Sequence, residues 1–571
     1  MTHSRKRALC WLLAALMTAA LALFVLLCTD VHYAVNDDAG ILRAFLGYEN
    51  GVPAHFQLFI HGLLAWPLYW LSLAFPSLPW FSYAQMALLL LACLVIAKSI
   101  LQSFVKHERP LWAGAVMAAL FLCALCLKYV SQSTFTQTAA LLGAAAVAQM
   151  LSVEHDRGPW RVVLGMMGAL ALLLLCYALR DTAVLPALAF CGLAFVVTLV
   201  ESYVLAKRSV KPMLLSAAIV AVALCAMVGA RQLEIAHSDA QDYLELQNAN
   251  TKLLDYYGLG SVPQEAFDAV GWSPATVELA KEWCFLDEAL TTEASDTLTA
   301  YMEARDSRTA GDRLREGVPL LVRTLRLHGA DMRCLALALI VGLFAAAAAL
   351  LAGKPRYLLA LLCAPLGAGV MLLYLSVQGR LPLRALLAAL LPCAAYLFAL
   401  LPACLPKRST ALCALLCALC AAYTAWGLKD VIPGLLIDKE AELELGSVMS
   451  DLEEYALSEP ESLFIYDKTI VGGDLRVFPS YPDGIPHNIT FWGGWGMRSP
   501  QNRALFESFD IDIDHFDLAF LLRDDVYVAS GRVDPPPMLL LNWLREKVNP
   551  DIDWQITSEY GSVYLFQFYE P

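Results

Sequence analysis

The 571-residue chain is 59% hydrophobic and only 16% charged, with a mean hydropathy of +0.57, more apolar surface than a soluble protein of this size can hide. Its net charge of -13 gathers in two polar regions, about 231–331 and 430–571, and excludes a nucleic-acid partner, which needs a basic footprint. The sixteen cysteines lie almost all in apolar runs. The Cys-x-x-Cys spacings at Cys123/Cys126 and Cys417/Cys420 have no polar neighbour to activate a thiol, so they predict neither a metal nor a redox site.

Arg5-Lys6-Arg7 and the apolar run ending at Cys28 read as a retained signal-anchor helix. The run is long and lacks the small-x-small exit of a cleaved leader. Residues 29–56 then form a polar loop with Asn36-Asp37-Asp38, Arg43, Glu49, Asn50, Pro53 and His55. Further apolar segments follow at about 57–75, 80–104, 111–130, 135–151, 161–179, 183–205, 212–230, 332–352, 356–376, 382–402 and 409–428.

Basic connections decide which of these cross the bilayer. Lys106 with Arg109, Arg157 with Arg161, Lys207-Arg208 with Lys211, Lys354 with Arg356, and Lys407-Arg408 all fall on the cytoplasmic side only if 57–75 does not span. That segment carries Gln57, His61, Trp66, Pro67, Tyr69 and Trp70, which suit an interfacial helix. The prediction is a mainly α, polytopic membrane protein with eleven transmembrane helices, an outer juxtamembrane helix and a small α/β C-terminal domain. The N-terminus is cytoplasmic and the C-terminal domain extracytoplasmic. The domains are 1–230 (first transmembrane part, with the outer loop 29–56), 231–331 (outer helical insertion), 332–430 (second transmembrane part) and 431–571 (outer α/β domain).

On this topology several polar features share the outer side. Residues 128–138 make a hydroxyl- and amide-rich turn, either a connector or a sugar contact. Arg180-Asp181 ends a span; it is either an interfacial anchor or a phosphate site in which Asp181 orients the guanidinium. In 231–331, Gly271-Trp272-Ser273-Pro274 marks a turn from which a helix opens. Amphipathic helices packed over the membrane domain are expected there.

Gln378-Gly379-Arg380-Leu381-Pro382-Leu383-Arg384 puts two arginines against the topology rule. A phosphate or diphosphate head group would explain them, and so would a salt bridge or an anionic lipid. Beyond 430, a helix over 438–456, strands at 462–467, 519–522, 526–529 and 562–568, and a helix over 537–548 are predicted. The turn at Trp492-Gly493-Gly494-Trp495 is either an exposed aromatic platform for a sugar or a buried tryptophan cluster. Asn488-Ile489-Thr490 matches a glycosylation triplet.

The acidic pair supports two kinds of chemistry. One carboxylate can act as general base towards an acceptor hydroxyl. The other, Asp38 in this reading, can bind a divalent cation (Mg or Mn) that neutralises a leaving phosphate. On an extended chain the two would point to opposite faces. The plain alternative is a helix cap.

Taken together, the Asn36-Asp37-Asp38 loop, the 57–75 helix, Arg180, Arg380 with Arg384, and the C-terminal domain resemble the GT-C superfamily of polytopic membrane glycosyltransferases, in a bacterial branch with a Trp-Gly-Gly-Trp tail. The His-Pro-Pro stretch of the mannosyl- and aminoarabinosyl-transferase branches is missing, with Pro53-Ala54-His55 in its place, which leaves the donor sugar open. The resemblance implies a polyprenyl-phosphate sugar donor, a cell-envelope glycan or lipid acceptor, and inversion at the anomeric carbon. Asp37 and Asp38 would be catalytic, with Asn36, His55, Arg180, Asp181, Arg380, Arg384, Trp492 and Trp495 binding substrate. The rivals are a lipid or oligosaccharide flippase and a non-catalytic envelope assembly protein.

Overall fold

A computed structural model describes residues 3–155, 158–205, 207, 209–238, 240–406, 410–437, 439–471, 475–481, 483–513, 518–532 and 536–571. Of the basic residues used above for topology, Arg157, Arg208, Lys407 and Arg408 lie outside the described residues. The chain opens with α1 (His3–Cys28), followed by the short helices α2 (Asn36–Leu46) and α3 (Gly62–Ala74). Then come α4 (Trp80–Lys106), α5 (Leu111–Leu125), α6 (Leu127–Ser131), α7 (Phe135–Ser152), α8 (Pro159–Leu179), α9 (Val184–Leu199) and α10 (Lys211–Ala236). The insertion holds α11 (Gln241–Asn250), α12 (Gln264–Ala269), α13 (Pro274–Lys281), α14 (Thr292–Arg305) and α15 (Ala310–Leu327). Apolar helices resume with α16 (Gly329–Leu351), α17 (Arg356–Val377), α18 (Leu383–Cys404) and α19 (Thr410–Leu428).

Among the described residues nine helices are long and apolar enough to cross a bilayer: α1, α4, α8, α9, α10 and α16 to α19. The chain is a polytopic helical membrane protein. The expected count of eleven included α5 and α7. α5 has 15 residues and breaks at Cys126 before α6. α7 has 18 residues, and Thr136, Gln137, Thr138 and Gln149 dilute its apolar character. Every side chain of α7 except Gln149 is buried, because α4, α8, α9 and α18 surround it. Its small residues permit that crowding. At 13 residues, α3 is about 20 Å long, short of the hydrocarbon thickness.

The C-terminal region begins with α20 (Lys439–Ser458). It continues through β strands that follow two short ones in the membrane part, β1 (His32–Tyr33) and β2 (Gln132–Ser133), which pair in parallel. The later strands are β3 (Leu463–Tyr466), β4 (Ile489–Phe491), β5 (Val526–Ser530), β6 (Asp553–Tyr560) and β7 (Val563–Tyr569). They form one sheet in the order β4-β3-β5-β7-β6. β3 is parallel to β4 and β5, and β7 is antiparallel to β5 and β6. Helices α21 (Lys468–Val471), α22 (Pro500–Ser508) and α23 (Pro536–Lys547) complete the α/β domain.

Two expectations differ from the structure, and one strand was not expected. Residues 518–522 form a 3-10 turn, not a strand. β6 escaped prediction because it is an edge strand, mostly exposed and without an apolar alternation. The boundary at 231 falls inside α10, which runs on to Ala236.

The insertion does more than cover the membrane part. Trp272, Phe285 and Leu286 share one apolar core with Trp492, Trp543 and the inner face of the sheet. Arg498 donates to the carbonyls of Phe285, Asp287 and Leu290, and Trp543 Nε1 donates to Asp287 at 2.9 Å. Ser273 opens α13 as expected, its hydroxyl accepting from the Thr276 N–H. The insertion and the C-terminal domain therefore fold as a joint cap. Backbone bridges from Thr29 to Leu436 and from His32 to Arg476 pin the first loop to it.

Candidate active site

The first loop becomes helical at once. Val35 is extended at the N-cap (φ -147°), and Asn36, Asp37 and Asp38 fill the first turn of α2, where carboxylates meet the positive end of the helix dipole. Successive helical residues diverge by about 100°. The three side chains therefore go three ways, not to the two opposite faces expected of an extended chain.

Asp38 points inward and is fully buried. Its Oδ1 accepts from Gln85 Nε2 at 3.0 Å and from the Phe135 N–H at 2.6 Å. Phe135 is the first residue of α7, so Asp38 caps that helix from another element, beside Thr134, whose hydroxyl accepts from the Gln137 N–H. The expected cap on the helix after the first span is not formed: α2 starts at Asn36 with Val35 at its N-cap and no side-chain cap bond, and Asp38 instead caps α7. Burial pushes the Asp38 carboxyl well above the usual range, against the pull of the Phe135 and Gln85 hydrogen bonds. The other oxygen, Oδ2, is buried without a hydrogen-bond partner among the described residues. Among the described residues no group of three or more His, Cys, Asp or Glu comes together.

Asp37 points to a cluster of arginines. It forms an ion pair with Arg384, in the first turn of α18. An arginine there opposes the helix dipole, so the Asp37 carboxylate offsets an unfavourable charge. Arg380 pairs with Asp255 from the insertion and lies 5.9 Å from the Tyr256 ring centre. Burial raises the Asp255 carboxyl, while Arg380 and then Arg384 pull it down.

Arg180 lies over the rings of Phe59 (4.9 Å) and Phe135 (5.5 Å). Its Nε donates to Thr182 Oγ1 at 3.2 Å. No ion pair to it is found among the described residues. Burial lowers its pKa, and the Arg384 and Arg380 charges lower it further, against the Asp181 and Asp37 carboxylates. Asp181 itself is exposed and accepts from the Thr182 N–H at 2.6 Å, so it does not orient Arg180 as suggested.

The third face of α2 borders a cavity. Asn36, Gly40, Arg43 and Ala44 lie at helical spacing along it, followed by Tyr48 and Glu49. Phe56 to Leu58, Tyr243 of α11, Tyr466 of β3 and much of the stretch from Ile489 to Gln501 close the rest. The space is open to solvent and has a cavity volume of about 110 Å³.

Trp495 packs on Gly40, where a Cβ would come within 2.9 Å of the indole. Phe59 meets Trp495 edge-on at 5.2 Å, and Tyr243 donates to its carbonyl. Phe59 is thus shared: it supports Trp495 at the cavity and Arg180 in the cluster.

Trp492 does not join this platform. It is only 2% exposed and lies in the core shared with the insertion. The two glycines explain the divergence. Gly493 passes so close to the Trp283 carbonyl that a side chain would collide with it. Gly494 has φ +73° and donates to the same carbonyl at 2.7 Å. His55, expected to bind substrate, is set apart as well. It is exposed, packs tilted on Trp66 (5.2 Å) and edge-on to Tyr69 (5.8 Å) of α3, and does not line the cavity.

The polar turn 131–138 is largely buried in backbone hydrogen bonds, for example Ser131 to the Asp30 carbonyl. Asn488 is buried too, donating to the carbonyls of Ala456, Glu459 and Ser462, so it offers no free amide for glycosylation.

Glu49 is the residue that sequence reasoning passed over. It follows α2 just beyond the left-handed Gly47, and its Oε1 accepts from Thr490 Oγ1 at 3.1 Å. Burial pushes its carboxyl up to about 7, against hydrogen bonds from Thr490 and Asn502. In the sequence it is one acid among many, and only the C-terminal domain folding over it creates its environment.

No family model matches the chain, and neither does any curated protein. Two solved structures of ArnT from Cupriavidus metallidurans are similar over 97% of each chain. The apo form has 13% identity and a TM-score of 0.39, and the form bound to undecaprenyl phosphate has 12% identity and a TM-score of 0.37.

Proposed function

We propose that the chain is a membrane glycosyltransferase that moves a sugar from a polyprenyl-phosphate donor to a cell-envelope acceptor at the extracytoplasmic face. The observation that carries this is the Asp37–Arg384 ion pair, where loop meets membrane helices: Arg380 precedes it in the same turn, and Arg180 lies on Phe135, whose N–H binds Asp38 next to Asp37. A lipid phosphate with its chain in the bilayer presents its head group at that depth. Guanidinium forks match phosphate oxygens in plane, and Arg180 is held on two aromatic rings with no carboxylate bound to it among the described residues.

In the transfer, an acceptor hydroxyl oxygen attacks the anomeric carbon. The bond from that carbon to the phosphate oxygen breaks, and its electron pair leaves on the polyprenyl phosphate. Asp37 takes the hydroxyl proton, and attack opposite the leaving oxygen inverts the anomeric centre. Charges fixed beforehand around the growing phosphate anion lower the barrier most. Asp37 is favoured over Asp38 as the base because Asp38 is enclosed and already accepts two hydrogen bonds. No step is routed through a divalent cation, since the arginines supply the positive charge. The extracytoplasmic placement follows from Arg5-Lys6-Arg7 at the start of α1.

The test is transfer in proteoliposomes with a synthetic polyprenyl-phosphate sugar. Asp37→Asn keeps the shape and removes the base. Full transfer by that variant would sink the mechanism, and wild-type activity of Arg180, Arg380 and Arg384 variants would sink the head-group assignment.

A further inference from the structure

We infer that the cavity beside α2 is a binding site for a neutral glycan, and that the acceptor of the reaction is therefore a glycan and not a lipid. Its role as the acceptor side rests on the transferase reading; the chemistry of its ligand does not.

The lining sets the ligand class. Phe56, Phe491 and Trp495 offer ring faces, and Asn36, Gln57 and Gln501 offer uncharged donors and acceptors. Sugars present both an apolar C–H face and a rim of hydroxyls, so they satisfy rings and amides together. An acyl chain would strand those amides without water. A phosphate would meet the Glu49 carboxyl, while the one arginine in the lining, Arg43, is buried and donates to the Tyr466 hydroxyl at 2.9 Å.

The shape agrees. Asn36 and Glu49 both line the cavity, on either side of the 11-residue α2, which spans about 16 Å. The Asn36 end adjoins Asp37, so one end of an occupant comes to rest beside the arginine cluster. Phe59 stands between the two compartments, with Trp495 on one side and the Arg180 cation on the other.

Glu49 closes the far end. A sugar seated there removes water from an already disfavoured carboxylate, so the bound state favours the protonated acid, which donates to a hydroxyl. The titratable and charged groups around it are Arg43 and Tyr48, Tyr466 of β3, Tyr243 of α11, Glu453 of α20 behind Tyr48, and His487, which binds the Gly47 carbonyl. Comparison with Glu49→Gln separates Glu49 from these.

The experiment uses the full chain in nanodiscs, with calorimetry on two neutral linear trisaccharides, maltotriose and chitotriose, and on geranyl phosphate. At least one trisaccharide is expected to bind. Trp495→Ala should weaken it about tenfold, and Arg384→Gln should weaken geranyl phosphate while leaving the trisaccharide unchanged. Trisaccharide affinity should fall between about pH 6 and about pH 8 in the wild type and stay flat in Glu49→Gln.

The inference is overturned if neither trisaccharide binds at about 10 mM, or if Trp495→Ala binds as the wild type does. It is equally overturned if affinity rises with pH, or if a lysophospholipid displaces the trisaccharide. Trisaccharide binding with no sugar transfer in proteoliposomes would instead leave the glycan site standing and remove the transferase reading.

Discussion

The arginine cluster and the cavity beside it are built from the same short helix, yet they handle charge in opposite ways. The cluster draws Arg180, Arg380 and Arg384 from two separate turns of the chain and balances two of them with Asp37 and Asp255. It is a place for an anion. The cavity carries rings, amides and hydroxyls, and its one acid sits where burial favours the neutral form. It is a place for a neutral polar molecule. One turn of α2 separates the two by pointing Asn36 one way and Asp37 another. A helix start can therefore divide two substrates without any domain boundary between them.

The comparison breaks most directly at the cluster. Asp37→Asn or Arg384→Gln should each lower transfer about 10²–10³-fold, the scale for losing one preorganised group at a reacting centre. The fold should remain, since the pair is part-exposed. Transfer rates in proteoliposomes, with thermal melting as control, check this.

Next in size is the contrast between the two tryptophans. Trp492→Ala should cost about 3–5 kcal/mol of stability as a large buried side chain. Trp495→Ala should leave melting near that of the wild type and raise the KM for the acceptor. Equal melting losses for both would erase the distinction between core and cavity.

Asp38 sharpens the comparison from the interior. Asp38→Ala removes the cap on α7 and strands the Phe135 N–H, a loss of about 1–3 kcal/mol. Asp38→Asn keeps an acceptor oxygen and should recover most of it. If Asp38→Asn melts like the wild type yet abolishes transfer, Asp38 and not Asp37 is the base.

A smaller effect concerns pH. The folded Glu49 carboxyl lies at about 7, above its ordinary value of 4.5, so between these values the folded state holds a proton that the unfolded state has lost. Its contribution to stability is fully present below about pH 4.5, falls as pH rises through 7, and is constant above. Wild-type melting should decline over that window more steeply than Glu49→Gln. The smallest effect is Asp181→Asn. This exposed side chain only accepts from its neighbour's N–H, and transfer should stay within about twofold of the wild type.

Much of the fold was legible because it follows from composition and periodicity. Apolar runs longer than the bilayer is thick must cross it or be enclosed. The charges of the connecting loops set α3 apart from the spans, and its aromatic content agrees: Trp66 and Trp70 both lie exposed on it, as an interfacial helix requires. The limit of such reading shows at α7, whose apolar run does not announce that four other helices enclose it, with its start at Asp38 and its end at Lys106. The site was legible in part for the same reason. Charges set against the topology rule announce themselves, whereas an acid in a polar loop, such as Glu49, carries no local mark of the burial that awaits it.

What the sequence determined by itself is the layer structure: which runs are apolar enough for the membrane, where the polar cap begins, and that Arg380 and Arg384 run against the expected topology unless they meet something charged. Those are local properties, set by side-chain chemistry and spacing. Only the tertiary structure decided which partner each residue meets. It sent Asp38 into the start of α7, buried Trp492 while leaving Trp495 on the cavity, set His55 aside on α3, and turned Glu49 from an ordinary loop acid into a half-buried one with a raised pKa. Most of these outcomes depend on elements tens to hundreds of residues away. Burial and pairing are properties of the assembled neighbourhood, and a residue's type limits what it can do without deciding what it faces.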